Sequence, residues 1–337
     1  MALIEHDLFG NVVDKEAKAV EIAQMFCPEE GFYFAYSGGK DSTATKKILD
    51  IAGVMYDAYY NMTTVDPPEL VRHIIRQFEA VIYEFSTGLR RFFRTDGCEL
   101  IKCDESDLPK DRRKIIHFNI PEYPMRKLIV KKKIPPTRLL RYCCEVLKES
   151  NGVGRVVVTG VRKHESASRK ESQGDVVIFA GKKAAQKMNA NFTLTKRGGV
   201  VLNYDDSETH RVVENCYRTL KTLVNPIIDF TDDDVWEFIR KYNLPYCELY
   251  DEGWKRLGCV GCPMGNFASQ RREFARWPQY RRMYVQAFQE MLDLRIAEGL
   301  THNRLWTDGE GIMRWWTGCD QGNNPDQMSI DDLEEIT

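Results

Sequence analysis

Residues 31 to 52, GFYFAYSGGKDSTATKKILDIA, restrict what this chain can fold into more than any other stretch. The apolar, aromatic run from Phe32 to Tyr36 predicts a buried strand. Ser37, Gly38 and Gly39 predict a tight turn, and Lys40, Asp41 and Ser42 lead into a helix through Leu49. Paired glycines let the backbone turn sharply and come close to a ligand. The free N–H groups at the helix start, with the Lys40 ammonium and the Ser37 and Ser42 hydroxyls, form a pocket for pyrophosphate. Gly-Gly between strand and helix is also ordinary turn chemistry, which needs no serine, lysine and aspartate in this order. The loop is not of the GxxxxGK[ST] type.

Downstream, Val54–Tyr60 and Val81–Phe85 predict further strands, with a helix over Pro67–Phe78 between them. Arg155–Val161 is a β-branched run without alternation, as in a central parallel strand. The alternation predicts an α/β fold, a doubly wound parallel sheet with ligands beyond the carboxyl ends of its strands. Region 1–24 is expected to supply an N-terminal helix, its amphipathic pattern running over 11 to 26. Residues 25–245 form the nucleotide-binding domain, and 246–337 a cysteine-bearing, mostly helical extension. Residues 86 to 121 read as irregular, and helices are expected near 124–132 and 138–149. An insertion spans 171–222, with a lysine-rich GKKAAQK and a hairpin turning at Gly198-Gly199 that is expected to overhang the pocket. Thr231 is expected to cap a helix, with Asp234 three residues on.

With 43% hydrophobic residues among 337, the chain can bury a sizeable core. No apolar run of about 18 residues occurs and the start carries acidic residues, so a soluble, cytoplasmic protein without a membrane partner is expected. Net charge is −2, which makes no global case for a polyanion partner. Basic clusters at 90–94, 112–114 and 131–133, interleaved with Phe92, Phe93 and Phe118, read as solvated surface or as a polyanion-binding face.

Two further constellations carry chemistry. Thr159–Arg169, TGVRKHESASR, follows the central strand and brings Gly160, Arg162, Glu165, Ser166 and Arg169 to the pocket mouth. Arginine forks match phosphate and sulfate oxygens. His164 reads as structural or exposed. Among ten cysteines, Cys143 and Cys144 are adjacent and Cys259 and Cys262 form GCVGCP. Adjacent cysteines bridge each other poorly, but four thiolates match a Cys₄ zinc site or an iron–sulfur cluster. The tandem pair favours iron–sulfur. Cys27, Cys98, Cys103, Cys216, Cys247 and Cys319 lack partners at ligand spacing, although Cys216 and Cys247 could lie near the cluster.

SGGKDS resembles the PP-loop of the ATP pyrophosphatases, which cleave between the α- and β-phosphates. With TGVRKHESASR, NPIIDFTDDDVWEFIRKYNLPY and LYDEGWKRLGCVGCP in that order, residues 25 to 265 resemble the phosphoadenosine phosphosulfate reductase family. Cys-Cys with CxxC is similar to its adenylyl-sulfate reductase branch. The resemblance implies a Rossmann-like adenine nucleotide α-hydrolase fold and a [4Fe–4S] cluster on Cys143, Cys144, Cys259 and Cys262. It also implies an adenine nucleotide such as ATP on Ser37, Gly38, Gly39, Lys40, Asp41, Ser42, Gly160, Arg162, Glu165 and Ser166, with Lys40, Asp41, Arg162 and Arg169 catalytic. Mg²⁺ would accompany the phosphates, possible ligation falling to Asp41.

Departures shift the expected reaction. Reductases carry a Glu-Cys-Gly-(Leu/Ile)-His tail, whereas Cys319 here sits in TGCDQG. TTVDPPEL stands where reductases carry Asp-Thr-Gly, and Glu165-Ser166 where they carry Gln-Ser; a carboxylate repels sulfate. These changes resemble PP-loop subunits of DNA phosphorothioation systems. The expected function is therefore an ATP-pyrophosphatase-type iron–sulfur enzyme that activates a nucleic-acid acceptor for sulfur insertion. Its partners would be a cysteine desulfurase and subunits of a modification complex, and a homodimer is compatible. The rivals are a sulfite-producing reductase with thioredoxin and a non-catalytic nucleotide- or cluster-sensing module.

Overall fold

Strand β3 (Phe32–Ala35) forms because three consecutive bulky residues, Phe32, Tyr33 and Phe34, are buried on both faces of a sheet. Helix α2 (Lys40–Ala52) follows directly, and its first intrahelical bond runs from Thr43 N–H to the Gly39 carbonyl at 2.9 Å. The computed structural model describes residues 3–6, 12–149, 151–165, 174–179, 192–194, 200–202, 221–300 and 302–319.

Around this unit, β4 (Tyr56–Asn61), β5 (Ala80–Phe85), β8 (Ile115–Ile120), β9 (Val156–Val158) and β13 (Lys221–Val224) complete a parallel core in the order β13-β9-β3-β4-β8-β5. Helix α3 (Pro68–Arg76), with Pro at its first position, connects β4 to β5. Chain order reverses at β3, since β4 lies on one side of it and the late strand β9 on the other. Such a switch point opens a crevice at the carboxyl ends of the strands, where doubly wound sheets bind ligands. This is a doubly wound α/β architecture, as expected.

Antiparallel strands extend both edges. On one side, β6 (Arg90–Asp96) and β7 (Glu99–Cys103) form a hairpin on β5. This corrects the irregular reading of 86–121, which also contains β8 in the middle of the sheet. On the other side, β10 (Val176–Phe179) pairs with β13 and β12 (Val200–Leu202), and β12 pairs with β11 (Phe192–Leu194). The expected hairpin exists, but its backbone hydrogen bonds go to the sheet edge. It therefore prolongs the sheet where an overhang was expected. Gly198-Gly199, GKKAAQK and the tail SIDDLEEIT lie outside the described residues.

The N-terminal helix is α1 (Lys15–Met25), capped by Asp14, whose side chain accepts from the Ala17 N–H. A short antiparallel pair, β1 (Ile4–His6) and β2 (Val12–Asp14), precedes it. Helix α4 (Met125–Lys132) is as expected, but the second helix near 138–149 shrinks to a turn at Tyr142–Cys144 and a π-helical turn at Glu145–Glu149. Helix α5 (Asp232–Lys241) starts with the predicted reciprocal cap. Thr231 N–H donates to Asp234 Oδ2 at 2.7 Å, and Asp234 N–H to Thr231 Oγ1 at 3.2 Å. Beyond residue 264 come α6 (Phe267–Arg276), α7 (Pro278–Ala297) and α8 (Gly309–Trp316), the helical extension. Among the described residues no helix is long and apolar enough to cross a membrane.

At the amino-terminal edge of the sheet, Asp57 on β4 is 6% exposed and is gripped by two guanidiniums. Arg112 donates through Nε at 2.6 Å and through Nη2, and Arg155 through Nη2 at 3.0 Å. Arg155 also donates to the Gly31 carbonyl at 2.9 Å. The clamp thus ties the starts of β3, β4 and β9 to the segment entering β8.

Candidate nucleotide and cysteine sites

The PP-loop makes its turn with Gly38 at φ 73°, a conformation that favours glycine. A Cβ there would also lie 2.4 Å from Ile74 Cγ1. Across the crevice, Gly160 packs so closely on the first turn of α2 that a Cβ would lie 2.9 Å from the Asp41 carbonyl carbon. The loops after β3 and β9 therefore form one wall. Ser42 Oγ donates to the Gly39 carbonyl at 2.9 Å and lies 3.2 Å from Ser37 Oγ.

Lys40, the first residue of α2, is 5% exposed. Its ammonium lies 3.2 Å from Asp41 Oδ1 and 2.9 Å from Asp232 Oδ1. Arg162 is 3% exposed and pairs with the same two carboxylates, Nε 2.7 Å from Asp41 Oδ1 and Nη2 2.8 Å from Asp232 Oδ1. It also donates to the Phe230 carbonyl at 3.3 Å. One oxygen of Asp232 is thus shared by both buried cations. Burial alone would raise the Asp232 pKa, but hydrogen bonding and charge from Lys40 and Arg162 outweigh it and hold the carboxyl below its ordinary value. Glu165 Oε1 accepts from the Arg162 N–H at 3.1 Å, so its carboxylate stabilises the turn. His164 is exposed, and Ser166 and Arg169 lie outside the described residues.

Sequence reasoning missed two members of this pocket. Asp232 is the first of three acids in the opening turn of α5, a placement that suits any helix start and so gives no sign of a phosphate site. Tyr250 lies 210 residues from the loop, yet its hydroxyl oxygen accepts from the Lys40 N–H at 2.9 Å. Because the Asp232 carboxylate competes with any incoming anion, Asp232→Asn is expected to tighten binding of inorganic pyrophosphate. The expected gain is about fivefold, equivalent to ~1 kcal/mol for a partly exposed ion pair. Unchanged or weaker binding in a calorimetric titration would remove Asp232 as a competitor.

A second pocket opens at the end of the neighbouring strand β4. Cys143, Cys144, Cys259 and Cys262 all line one pocket, together with Thr63 and Lys148. The two pairs, separated in sequence, thus meet at the same place in the fold. Cys259 Sγ is 3.4 Å from Thr63 Oγ1. The Cys143 hydrogen bond pushes Cys144 down against the effect of burial, helped by Arg141 and Lys148, and the same bond, with burial, pushes Cys143 up. Burial raises Cys259. Lys148 is an exposed residue whose ammonium faces Cys259, and the thiol's charge raises its pKa.

The spacing of the thiols bears on what they could hold. A tetrahedral zinc site brings four sulfurs to about 2.3 Å from one point. Among the described residues, no three His, Cys, Asp or Glu side chains converge closely enough for one ion. Four thiols on one pocket are the donor set that either a zinc ion or an iron–sulfur cluster takes. The C-terminal helices frame this cavity. Gly261 N–H donates to Glu273 Oε2 of α6 at 2.7 Å, and Tyr284 of α7 donates to the Val260 carbonyl at 3.2 Å. Val260 N–H donates to the Val65 carbonyl at 2.8 Å, joining the CxxC to the loop after β4. In that loop Asp66 accepts from both the N–H and the hydroxyl of Thr63, each at 2.8 Å. Thr64 adopts φ 67°, strained for a β-branched residue.

Among the described residues, no other cysteine lines this pocket. Cys247 is buried, and Cys27, Cys98 and Cys103 are half-buried. Cys319 is exposed just beyond α8, with Sγ 3.4 Å from Thr317 Oγ1. Cys216 lies outside the described residues. The basic clusters are largely paired with acids. Arg90 lies 3.0 Å from Glu105, Arg113 2.9 Å from Asp111 and Lys114 2.7 Å from Glu79, and Lys133 pairs with Glu298.

Comparison with known proteins gives a consistent family. A family model described as phosphoadenosine phosphosulfate reductase domain matches residues 113–264. An adenosine 5'-phosphosulfate reductase of Oceanobacillus iheyensis is 44% identical over 54 residues, 16% of this chain and 22% of the relative. One of Staphylococcus haemolyticus is 37% identical over 57 residues, 17% of this chain and 24% of the relative. The chain therefore spans about a quarter of the length of these curated relatives. A phosphoadenylyl-sulfate reductase structure from Candida auris covers 72% of this chain and 88% of its own, at 11% identity and a TM-score of 0.36, too slight a likeness to carry an argument. With the PP-loop, the switch-point crevice and the matched domain in place, the chain is similar to the phosphoadenosine phosphosulfate reductases, the domain match running over residues 113–264.

Proposed function

We propose that the chain is an enzyme that binds ATP in the β3/β9 crevice and cleaves it between the α- and β-phosphates in the course of sulfur transfer. The observation that carries this reading is the sharing of Asp232 Oδ1 by two buried cations, Lys40 and Arg162. An anionic oxygen held by two cations is the arrangement that a phosphoryl oxygen would take over. Lys40 and Arg162 would neutralise charge developing on the leaving pyrophosphate, as preorganised donors do. The first N–H groups of α2 and the hydroxyls of Ser37 and Ser42 would hold it. Mg²⁺ would accompany the phosphates near Asp41.

In this reaction an acceptor oxygen attacks the α-phosphorus, the α–β bridging bond breaks, and pyrophosphate leaves with the bonding pair. A persulfide sulfur, supplied through a cysteine desulfurase, then displaces AMP from the adenylylated acceptor, and a thiol reductant cleaves the resulting S–S bond with two electrons to leave the sulfur on the acceptor. Cys143, Cys144, Cys259 and Cys262 would hold a [4Fe–4S] cluster, which when bound supplies electron transfer and iron sites for sulfur. A nucleic acid is the proposed acceptor, as in DNA phosphorothioation.

The reductases among its relatives favour a second reading. There the substrate is adenylyl sulfate or phosphoadenylyl sulfate, the product sulfite and the nucleophile Cys319. Protein purified without oxygen should be brown, and a colourless protein with one zinc would overturn the cluster. Incubation with ATP should release pyrophosphate, in an amount that rises with added DNA. Sulfite from adenylyl sulfate establishes the reductase, and neither product leaves a sensing module.

A further inference from the structure

The Tyr250 hydroxyl has a place in the pocket that its role as an acceptor does not exhaust. A phenol accepts through its oxygen and has one hydrogen to give. The oxygen takes the Lys40 N–H at 2.9 Å, and among the described residues the hydrogen goes to no acceptor. We propose that Tyr250 is a phosphate-binding residue, donating its phenolic hydrogen to a phosphoryl oxygen while its own oxygen stays on the Lys40 N–H. This rests on the nucleotide reading above and adds to it a residue from outside the loop.

Three observations support it. First, the hydroxyl is fixed before any ligand arrives. The Tyr250 ring packs edge-on against Trp236 of α5 at 5.2 Å between centroids. The segment that follows is held by Arg272, which donates to the Glu252 carbonyl at 2.9 Å and the Gly253 carbonyl at 3.3 Å, and by the Arg276–Glu252 ion pair at 3.1 Å. Second, the loop leaves room for it. A Cβ at Gly39 would lie 3.4 Å from the hydroxyl, in van der Waals contact, so the hydroxyl sits directly against the loop without being crowded by it. Third, the group is a durable donor. Burial raises its pKa well above the ordinary phenol value, so it stays protonated, while the half-exposed residue remains within reach of a ligand. A hydroxyl that accepts from a helix-start N–H is also polarised as a donor.

The opposing reading makes the same bond a latch that only ties the 247–254 segment to α2. Tyr250→Phe keeps the ring and removes the hydroxyl, so the two can be separated. Wild type and variant are titrated calorimetrically with inorganic pyrophosphate, with a non-hydrolysable ATP analogue and with adenosine, and their ligand-free melting is compared. A hydrogen bond to a charged group predicts that pyrophosphate and the analogue weaken about 10- to 100-fold, with adenosine unchanged. A latch predicts a lower melting temperature with phosphate affinities unchanged, which overturns the proposal. Wild-type protein that binds neither phosphate ligand overturns the nucleotide reading itself, and Tyr250's role with it.

Discussion

Arg162→Met is expected to abolish pyrophosphate and ATP binding and to lower stability by about 3 kcal/mol, the lower end for breaking a buried ion pair. The guanidinium is 3% exposed and joins the loop after β9 to Asp41 on α2, Asp232 on α5 and the Phe230 carbonyl. Its loss leaves two carboxylates with Lys40 as their common cation. Both carboxylates are partly exposed, 26% for Asp41 and 65% for Asp232, so water softens the penalty and keeps it at that lower end. Arg162→Lys should recover part of the stability and little of the affinity, because an ammonium cannot reproduce the fork between two oxygens. Urea unfolding and pyrophosphate titration of both variants check this. Near wild-type affinity in Arg162→Met would mean that phosphate binds elsewhere.

An equal loss of stability is expected away from the pocket. Asp57→Asn removes the charge between Arg112 and Arg155, and about 3 kcal/mol should be lost as two guanidiniums keep only a neutral amide between them. Burial would raise the Asp57 pKa, but the hydrogen bonds and charges of Arg112 and Arg155 prevail and the pKa is lowered from 3.8. The sign follows from linkage. A carboxylate with a depressed folded pKa contributes stability that is fully present above 3.8 and is lost as pH falls through the folded value. Wild type should therefore lose this contribution below the ordinary carboxylate range, and Asp57→Asn should show a flatter stability profile there. A variant with the same acid limb as wild type would show that the clamp does not govern acid unfolding.

What the sequence disclosed depends on how local each signal is. The strand–turn–helix at 31–52 and the Thr231–Asp234 cap were legible because their bonds span only a few residues. The cysteine pairs were legible because their chemistry implies convergence even without a topology. The β6–β7 hairpin was hidden by charge, since Arg90, Arg91 and Arg94 face solvent at a sheet edge. Asp96-Gly97 was the overlooked signal, with Gly97 at φ 58° as a tight hairpin turn requires. Strand β8 was missed because His117 and Asn119 interrupt its apolar run. In the fold, His117 pairs with Glu84 at 2.9 Å, and Asn119 donates to Asn61 at 2.7 Å. Asp232 and Tyr250 could not be placed, because contacts over such separations exist only once the sheet order is known.

The walls of the cysteine cavity run along the chain from Thr63 to Tyr284. A ribosome delivers residues in sequence, so Cys143 and Cys144 leave the exit tunnel long before Cys259 and Cys262. Until α7 has emerged, the first pair faces the cell's solutes with half its enclosure unbuilt. Any inorganic group held there must therefore be inserted after α7 has been made, and the nascent thiols have to be kept reduced until then.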